Sequence, residues 1–276
     1  MNQHLSRRAF LKRALFGFLS LIPLTAGYSY GIEPRWLEVS EKFIRLPRLA
    51  SAFEGMRVVV FGDLHVGFHM NEDDVSHVVT KVNSLKPDLL LFTGDLVDDK
   101  QDVLFPILPH LQKLHAPLGK FAVLGNHDYQ GDLVTPNFEH IGFHVLRNRH
   151  HLIRKGQDTL VIAGVEDMLM GKPSLNQAIE GAPDTCTLLL SHCPDFASNI
   201  VSNQVDLQIS GHSHGGQIRL PFLGAMITPP GGRIYTDGFY SLEKTNVYVN
   251  RGIGTTILPF RFHCRPQISI LHLSRT

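Results

Sequence analysis

Apolar residues in this chain gather in short, unbroken runs that end at glycine. The stretches "MRVVVFGD", "DLLLFTGD" and "KFAVLGNHD" each read as a buried β-strand, because continuous branched and aromatic runs suit a strand covered on both faces. Between the first two, "NEDDVSHVVTKVNSL" sets Val75, Val78, Val79, Val82 and Leu85 at helical spacing, with Asn71 placed to cap the helix. "DVLFPILPHLQKLHA" shares that periodicity, and Pro106 and Pro109 are expected to break it. Strand, helix, strand, helix, strand predicts right-handed crossovers and a largely parallel sheet.

The later pattern is richer in strands. "HVLRNRHHLIRK" and "DTLVIAGVED" read as consecutive strands about a turn, and "CTLLLSH" and "VDLQISGH" as strands flanking a short helix near "DFASNIVSN". "QIRLP", "VYVNRG" and "QISILHL" complete a strand-rich tail. Residues 55–276 show no internal repeat or composition break and read as one domain. Residues 31–54 supply a linker, with Pro34 and Pro47, and a first strand.

Residues 1–30 follow different rules. Arg7 and Arg8 precede Phe10, Leu11 and Lys12, an arrangement that resembles a twin-arginine export signal. The apolar run behind them is weak, interrupted by Gly17, Ser20, Pro23, Thr25 and Gly27. Thr25-Ala26-Gly27 is a poor cleavage site, so a removed signal and a retained membrane anchor both stay open. The basic cluster Arg7, Arg8, Lys12 and Arg13 should remain cytoplasmic, which places the domain on the extracytoplasmic (periplasmic) side. The alternative is a segment that lies on the inner, cytoplasmic face without crossing.

Composition narrows the class. The chain has 276 residues, 43% hydrophobic, with a formal net charge of +1, as an ordinary globular protein has. Its middle is acidic and its two ends are basic, which suits carboxylates gathered to hold cations. Cys186, Cys193 and Cys264 form neither a disulfide framework nor a zinc spacing, so any metal falls to histidine and carboxylate.

Such residues stand at the strand ends. The runs lead into Gly62-Asp63-Leu64-His65, Gly94-Asp95, Gly125-Asn126-His127-Asp128, Ser191-His192 and Gly211-His212-Ser213-His214. Loops at the carboxyl ends of parallel strands converge on one edge, where open α/β sheets build their sites. Each block alone is commonplace, but five in succession at strand ends predict a metal centre.

These blocks resemble the pattern of the calcineurin-like metallophosphoesterase superfamily: Asp-x-His, Gly-Asp, Gly-Asn-His-Asp/Glu, a lone histidine, then Gly-His-x-His. All five occur here in that order, and the resemblance covers roughly residues 55 to 270. It implies an α/β fold, an α/β/β/α sandwich of two mixed sheets with flanking helices. It implies that Asp63, His65 and His214 hold one divalent ion, that Asn126, His192 and His212 hold a second, and that Asp95 bridges them. Two such ions about 3.5–4 Å apart turn a water into hydroxide for in-line attack on phosphorus. Manganese, iron, zinc and magnesium all suit imidazole and carboxylate donors. His127 would serve as the acid for the leaving oxygen, with Asp128 either fixing its tautomer or acting as a turn residue.

Within the superfamily the chain is similar to a membrane-associated branch that includes twin-arginine-exported phosphodiesterases and UDP-2,3-diacylglucosamine pyrophosphatases of lipid A synthesis. "IEPRWLEV", "GHSHGGQIRLP" and "NRGIGTTILPFRFHCRP" carry that likeness. It implies a phosphodiester or pyrophosphate substrate, lipid-linked or membrane-associated, and a monomeric enzyme. The apolar loop "IRLPFLGAMITPPGGR" offers an acyl- or membrane-facing wall, and Arg219 and Arg251 are candidate phosphate contacts beside solvated-surface alternatives. An exported domain would meet an extracytoplasmic phosphodiester, whereas UDP-2,3-diacylglucosamine requires the cytoplasmic face. A catalytically inactive scaffold is disfavoured by the intact blocks. A metallo-β-lactamase-like site would need its His-x-His early in the chain. No nucleic-acid partner is expected, because no aromatic-interleaved basic stripe is present.

Overall fold

A computed structural model describes residues 6–200 and 204–275. Helix α1 (Arg7–Gly31) is capped by Ser6, whose hydroxyl accepts the Ala9 amide at 3.2 Å. Among the described residues no helix, α1 included, is long and apolar enough to cross a membrane. The last turn of α1 is joined to the domain, since Ser29 O accepts the Arg261 amide at 2.9 Å and the Tyr30 ring lies 5.7 Å from Phe260. The segment expected to stand apart up to residue 30 is therefore tied into the fold from Ser29.

Strands β1 (Glu38–Arg45), β2 (Arg57–Phe61), β3 (Leu89–Phe92), β4 (Lys120–Ala122) and β5 (Phe143–Val145) belong to the first sheet. Helices α2 (Glu72–Ser84), α3 (Leu104–Leu111) and α4 (Val134–His140) connect β2 through β5, which are parallel as the pattern predicts. Asn71 caps α2 reciprocally with Asp74, as its position indicated. Helix α3 is not broken: it runs through both prolines and ends two residues after Pro109. Pro106 sits in its first turn, where the missing amide would have had no intrahelical partner.

The second sheet is built from β6 (Arg149–Lys155), β7 (Asp158–Gly164), β8 (Thr187–Leu190), β9 (Leu207–Ser210), β12 (Gly238–Ser241) and β13 (Asn246–Val249). Short strands β10 (Arg219–Leu220) and β11 (Gly224–Ala225) form a separate hairpin, and helix α5 (Leu175–Ala178) follows β7. The segment from Pro194 to Asn199 is a 3-10 helix, while positions 201–203 of the expected helix lie outside the described residues. Strand β14 (Gln267–Ser274) enters the first sheet between β1 and β2.

Both sheets have six strands, ordered β1-β14-β2-β3-β4-β5 and β12-β13-β9-β8-β7-β6. One core lies between them, with Val58, Val60, Leu89, Leu91, Leu188 and Ile209 all fully buried. Alternation along β2 and β3 sends Val59, Phe61, Leu90 and Phe92 to the opposite face, under α2, α3 and α4. The second sheet is covered outside by α5 and the 194–199 segment. The layers are helix, sheet, sheet, helix, and the carboxyl ends of β2, β3, β4, β8 and β9 open on one edge.

Candidate metal centre

The five blocks meet at that edge. Strand β2 leads into Asp63 and His65, β3 into Asp95, β4 into Asn126, β8 into His192 and β9 into His212 and His214. Asp63, His65, Asp95, His212 and His214 all hold positive φ, between 47° and 65°. Non-glycine residues adopt that conformation rarely and at some cost, so the side chains are aimed at the expense of local backbone ease. Adjacent glycines make room: a Cβ on Gly94 would lie 2.5 Å from Gly125 N and 2.7 Å from His192 Nδ1. This close approach is what the repeated glycine-acid pattern encodes.

Two triads built from the predicted ligands result, Asp63–His65–His214 and Asp95–His192–His212, each with its atoms within 4.8 Å of one another, and a third such group, His65–Asp98–His127, overlaps the first at His65. Asp95 stands between them. Its Oδ2 is 3.4 Å from His65 Nε2 on one side and 3.2 Å from His192 Nε2 on the other. Asn126 Oδ1 lies 3.3 Å from His192 Nε2, and His214 Nε2 lies 3.7 Å from Asp63 Oδ1. The seven predicted ligands are thus brought together.

The hydrogen bonds fix which ring nitrogen faces inward. His192 Nδ1 donates to Thr93 O at 2.7 Å, His212 Nε2 to Pro230 O at 2.8 Å and His65 Nδ1 to Asp98 Oδ1 at 3.1 Å. Those acceptors cannot donate, so each neutral ring turns a lone pair toward the centre. There His65 Nε2 is 3.0 Å from His214 Nε2, and His212 Nδ1 is 3.1 Å from His192 Nε2. The lone pairs of His212 Nδ1 and His192 Nε2 face each other at that separation and call for a cation or a proton between them. The Arg261 guanidinium at His214 Nδ1 instead places the neutral His214 proton on Nε2, toward His65. Asp63 Oδ2 is buried without a partner, a further place for a cation. The donor set fits two divalent ions.

Without ions, protons occupy that place. Burial opposes the charged form of His192, but Asp95 and Asp63 outweigh it and raise the group to about 10. Burial pushes the Asp63 carboxyl up to about 6 and, with the charge of His192, lowers His212 to about 4. Burial would also raise Asp95, but the imidazoles of His192, His65 and His127 hold it well below the carboxylate range.

His127 stands beside this cluster. Its amide donates to Asp95 Oδ1 at 2.9 Å and its Nδ1 to Asp98 O at 2.6 Å. Asp128 does not touch the imidazole. Its buried carboxylate accepts the amides of Asp95, Leu96 and Gly125 at 2.9 Å and of Val97 at 3.4 Å. Of the two roles open to it, the turn residue is the one the geometry assigns, because four amides already saturate its oxygens.

Arg219 and Arg251, the candidate phosphate contacts, have partners within the chain. Arg251 pairs with Glu38 at 3.1 Å and Asp237 at 3.5 Å, and Arg219 donates to Gly215 O at 3.0 Å and faces Asp237 at 3.7 Å. Both brace the turn behind His214 rather than present free cations. Four contributors beyond the predicted site residues complete the centre. Asp98 could have been suspected from the acids in "GDLVDD", and it reaches His65 directly while its backbone holds His127. Arg261, fully buried, spans carbonyls of Arg251, Gly254 and Cys264 and comes within 3.4 Å of His214 Nδ1. Thr93 and Pro230 act through backbone carbonyls, which no residue type announces.

Residues 56–216 match the family model described as calcineurin-like phosphoesterase, and the chain belongs to that family. It is 38% identical to the protein of Bacillus subtilis (strain 168) described as an uncharacterized metallophosphoesterase, YkuE, over 99% of both chains. It is 28% identical to the UDP-2,3-diacylglucosamine pyrophosphatase LpxG of Chlamydia trachomatis, covering 90% of this chain and 92% of that one. A transmembrane protein with metallophosphoesterase domain from Danio rerio is 29% identical over 84% of this chain and 56% of its own length. The chain is a metallophosphoesterase, a hydrolase of phosphate esters that works with divalent metal ions, and the two triads are the groups that could hold them.

Proposed function

We propose that this protein hydrolyses a phosphodiester or pyrophosphate bond of a membrane-associated, lipid-linked substrate at a pair of divalent ions. The position of Asp95 Oδ2 between two imidazole-carboxylate triads carries the reading. Asp63, His65 and His214 would hold one ion, Asn126, His192 and His212 the other, and Asp95 both. Bound there, the ions supply water activation near neutral pH and neutralise charge on the phosphoryl oxygens. Asp95 also accepts the His127 amide, which keeps that imidazole at the rim. With Nδ1 committed to Asp98 O, Nε2 of His127 is the ring nitrogen left to face the leaving oxygen and pass it a proton.

Similarity to the chlamydial pyrophosphatase and to a transmembrane relative supports a lipid-linked substrate, with UDP-2,3-diacylglucosamine as the specific candidate. The Arg7-Arg8 motif favours a second reading, an exported phosphodiesterase of broad specificity acting outside the cytoplasm. Manganese-, zinc-, iron- and magnesium-reconstituted protein, presented with bis-(p-nitrophenyl) phosphate, p-nitrophenyl phosphate, phospholipids and UDP-2,3-diacylglucosamine, tests both. Cleavage of the nucleotide lipid supports the first, and diester cleavage without it supports the second. Preference for the monoester defeats the substrate class in either case. A periplasmic reporter fused after residue 276 decides which membrane face the domain occupies.

A further inference from the structure

The two most exposed large apolar side chains among the described residues stand on loops joined to the turn that carries His214. Phe222 is 108% exposed and Ile257 84%, with Leu223, Met226, Ile227 and Leu258 exposed beside them in sequence. Phe222 and Ile257 also hold positive φ, 68° and 62°. A bulky or β-branched residue in that conformation is strained, and in the isolated chain neither tip recovers the cost by burial.

The two tips belong to one assembly. Gln217 donates to Thr256 O at 2.8 Å and accepts the Thr256 amide at 3.0 Å, while the Arg219 amide donates to Phe262 O at 2.9 Å. A Cβ on Gly216 would lie 2.6 Å from Ala225 Cβ, so the 222–227 loop rests on the turn that carries His214. The 256–263 loop in turn receives the end of α1 through Ser29–Arg261 and Tyr30–Phe260.

Helix α1 identifies what covers this face. Phe10, Phe16, Leu19, Leu21, Ile22 and Leu24 are all exposed, at spacings that encircle the helix. A single folded protein partner covers one stripe of a helix, whereas the interface of a bilayer can take up apolar side chains of a helix that does not cross it, with basic residues at the headgroups. Arg7, Arg8, Lys12 and Arg13 lie at its start, and Tyr28, Tyr30 and Trp36 at its finish, the residue types that settle at lipid headgroups.

We propose that the tips at Phe222–Ile227 and Ile257–Leu258, together with the end of α1, form a docking surface for a lipid bilayer. The surface presents the metal centre to phosphoesters at headgroup depth. This rests on the membrane-associated reading above, and the occupant is the bilayer rather than a protein.

The native cysteines are buried, so a label on an introduced cysteine reports its own position. Full-length Phe222→Cys, Ile257→Cys and, at the far end of the β6–β7 hairpin, Gln157→Cys are labelled with an environment-sensitive fluorophore. Each is mixed with phosphatidylglycerol/phosphatidylcholine vesicles carrying spin-labelled acyl chains. Emission at 222 and 257 should shift to the blue and be quenched several-fold more than at 157. Vesicle-bound protein whose labels at 222 and 257 stay aqueous overturns the proposal, as does protein that binds no vesicle or buries those labels only against another protein. Hydrolysis of soluble bis-(p-nitrophenyl) phosphate by the same samples reports the phosphoesterase reading separately. Phe222→Ser/Ile257→Ser should keep that activity while losing several-fold in turnover of vesicle-borne substrate.

Discussion

Asp98 holds His65 and His127 at once: its Oδ1 lies 3.1 Å from His65 Nδ1, and its backbone oxygen takes His127 Nδ1 at 2.6 Å. Asp98→Ala therefore releases the orientation of a metal ligand. A carboxylate behind a ligating histidine typically contributes about 10–100-fold in metal affinity or activity. Calorimetric titration with manganese should show that loss in one of the two sites, with the fold intact by circular dichroism.

His127→Ala removes a group beside the ions rather than on them. Turnover of bis-(p-nitrophenyl) phosphate should fall by about 10²–10⁴-fold, the range for a positioned proton donor. Metal content by atomic emission should stay at two ions per chain. A loss of metal in this variant would move His127 into the ligand set.

Asp128→Asn tests the turn role against the catalytic one. Its amide would confront backbone donors that now meet a carboxylate, and a buried donor left unmatched costs about 1–3 kcal/mol. Urea unfolding should show that destabilisation, while the pH-rate profile of the folded fraction keeps its shape. A displaced alkaline limb, where the proton donor is lost, would return Asp128 to the side of His127.

Metal uptake should strengthen as pH rises through about 6. Burial raises the Asp63 carboxyl to about 6, so below that value a proton competes directly with an ion, and above it the carboxylate is free. Titrations at pH 5.5 and 7.5, in buffers of different ionisation heat, should show weaker binding at the lower value and proton release at both. Equal affinity at the two pH values would contradict this picture.

Much of this was legible beforehand, for identifiable reasons. The runs at β2, β3 and β8 are apolar throughout because both faces of each strand are covered, and Asn71 marks its helix by a local bond. The ligands were legible because glycine-acid and glycine-histidine pairs record backbone crowding in the sequence itself. Strand β1 was anticipated only in outline and β12 not at all, since their half-exposed positions lack a clean alternation. The ion pairs of Arg251 were not legible, because its partners Glu38 and Asp237 are remote in the chain. The burial of Arg261 leaves no local signal in the sequence, because its acceptors are backbone carbonyls and a ring remote in the chain.

The position of β14 between β1 and β2 bears on how the molecule is made. Its residues leave the ribosome after every other described strand, so the first sheet keeps a gap until residues 267–274 have been made. The ligand loops after β2 and β3 hang from that unfinished sheet. Assembly of the ion pair is therefore a late event, and a nascent chain stalled before residue 267 would carry all seven donors yet lack the frame that points them at one another.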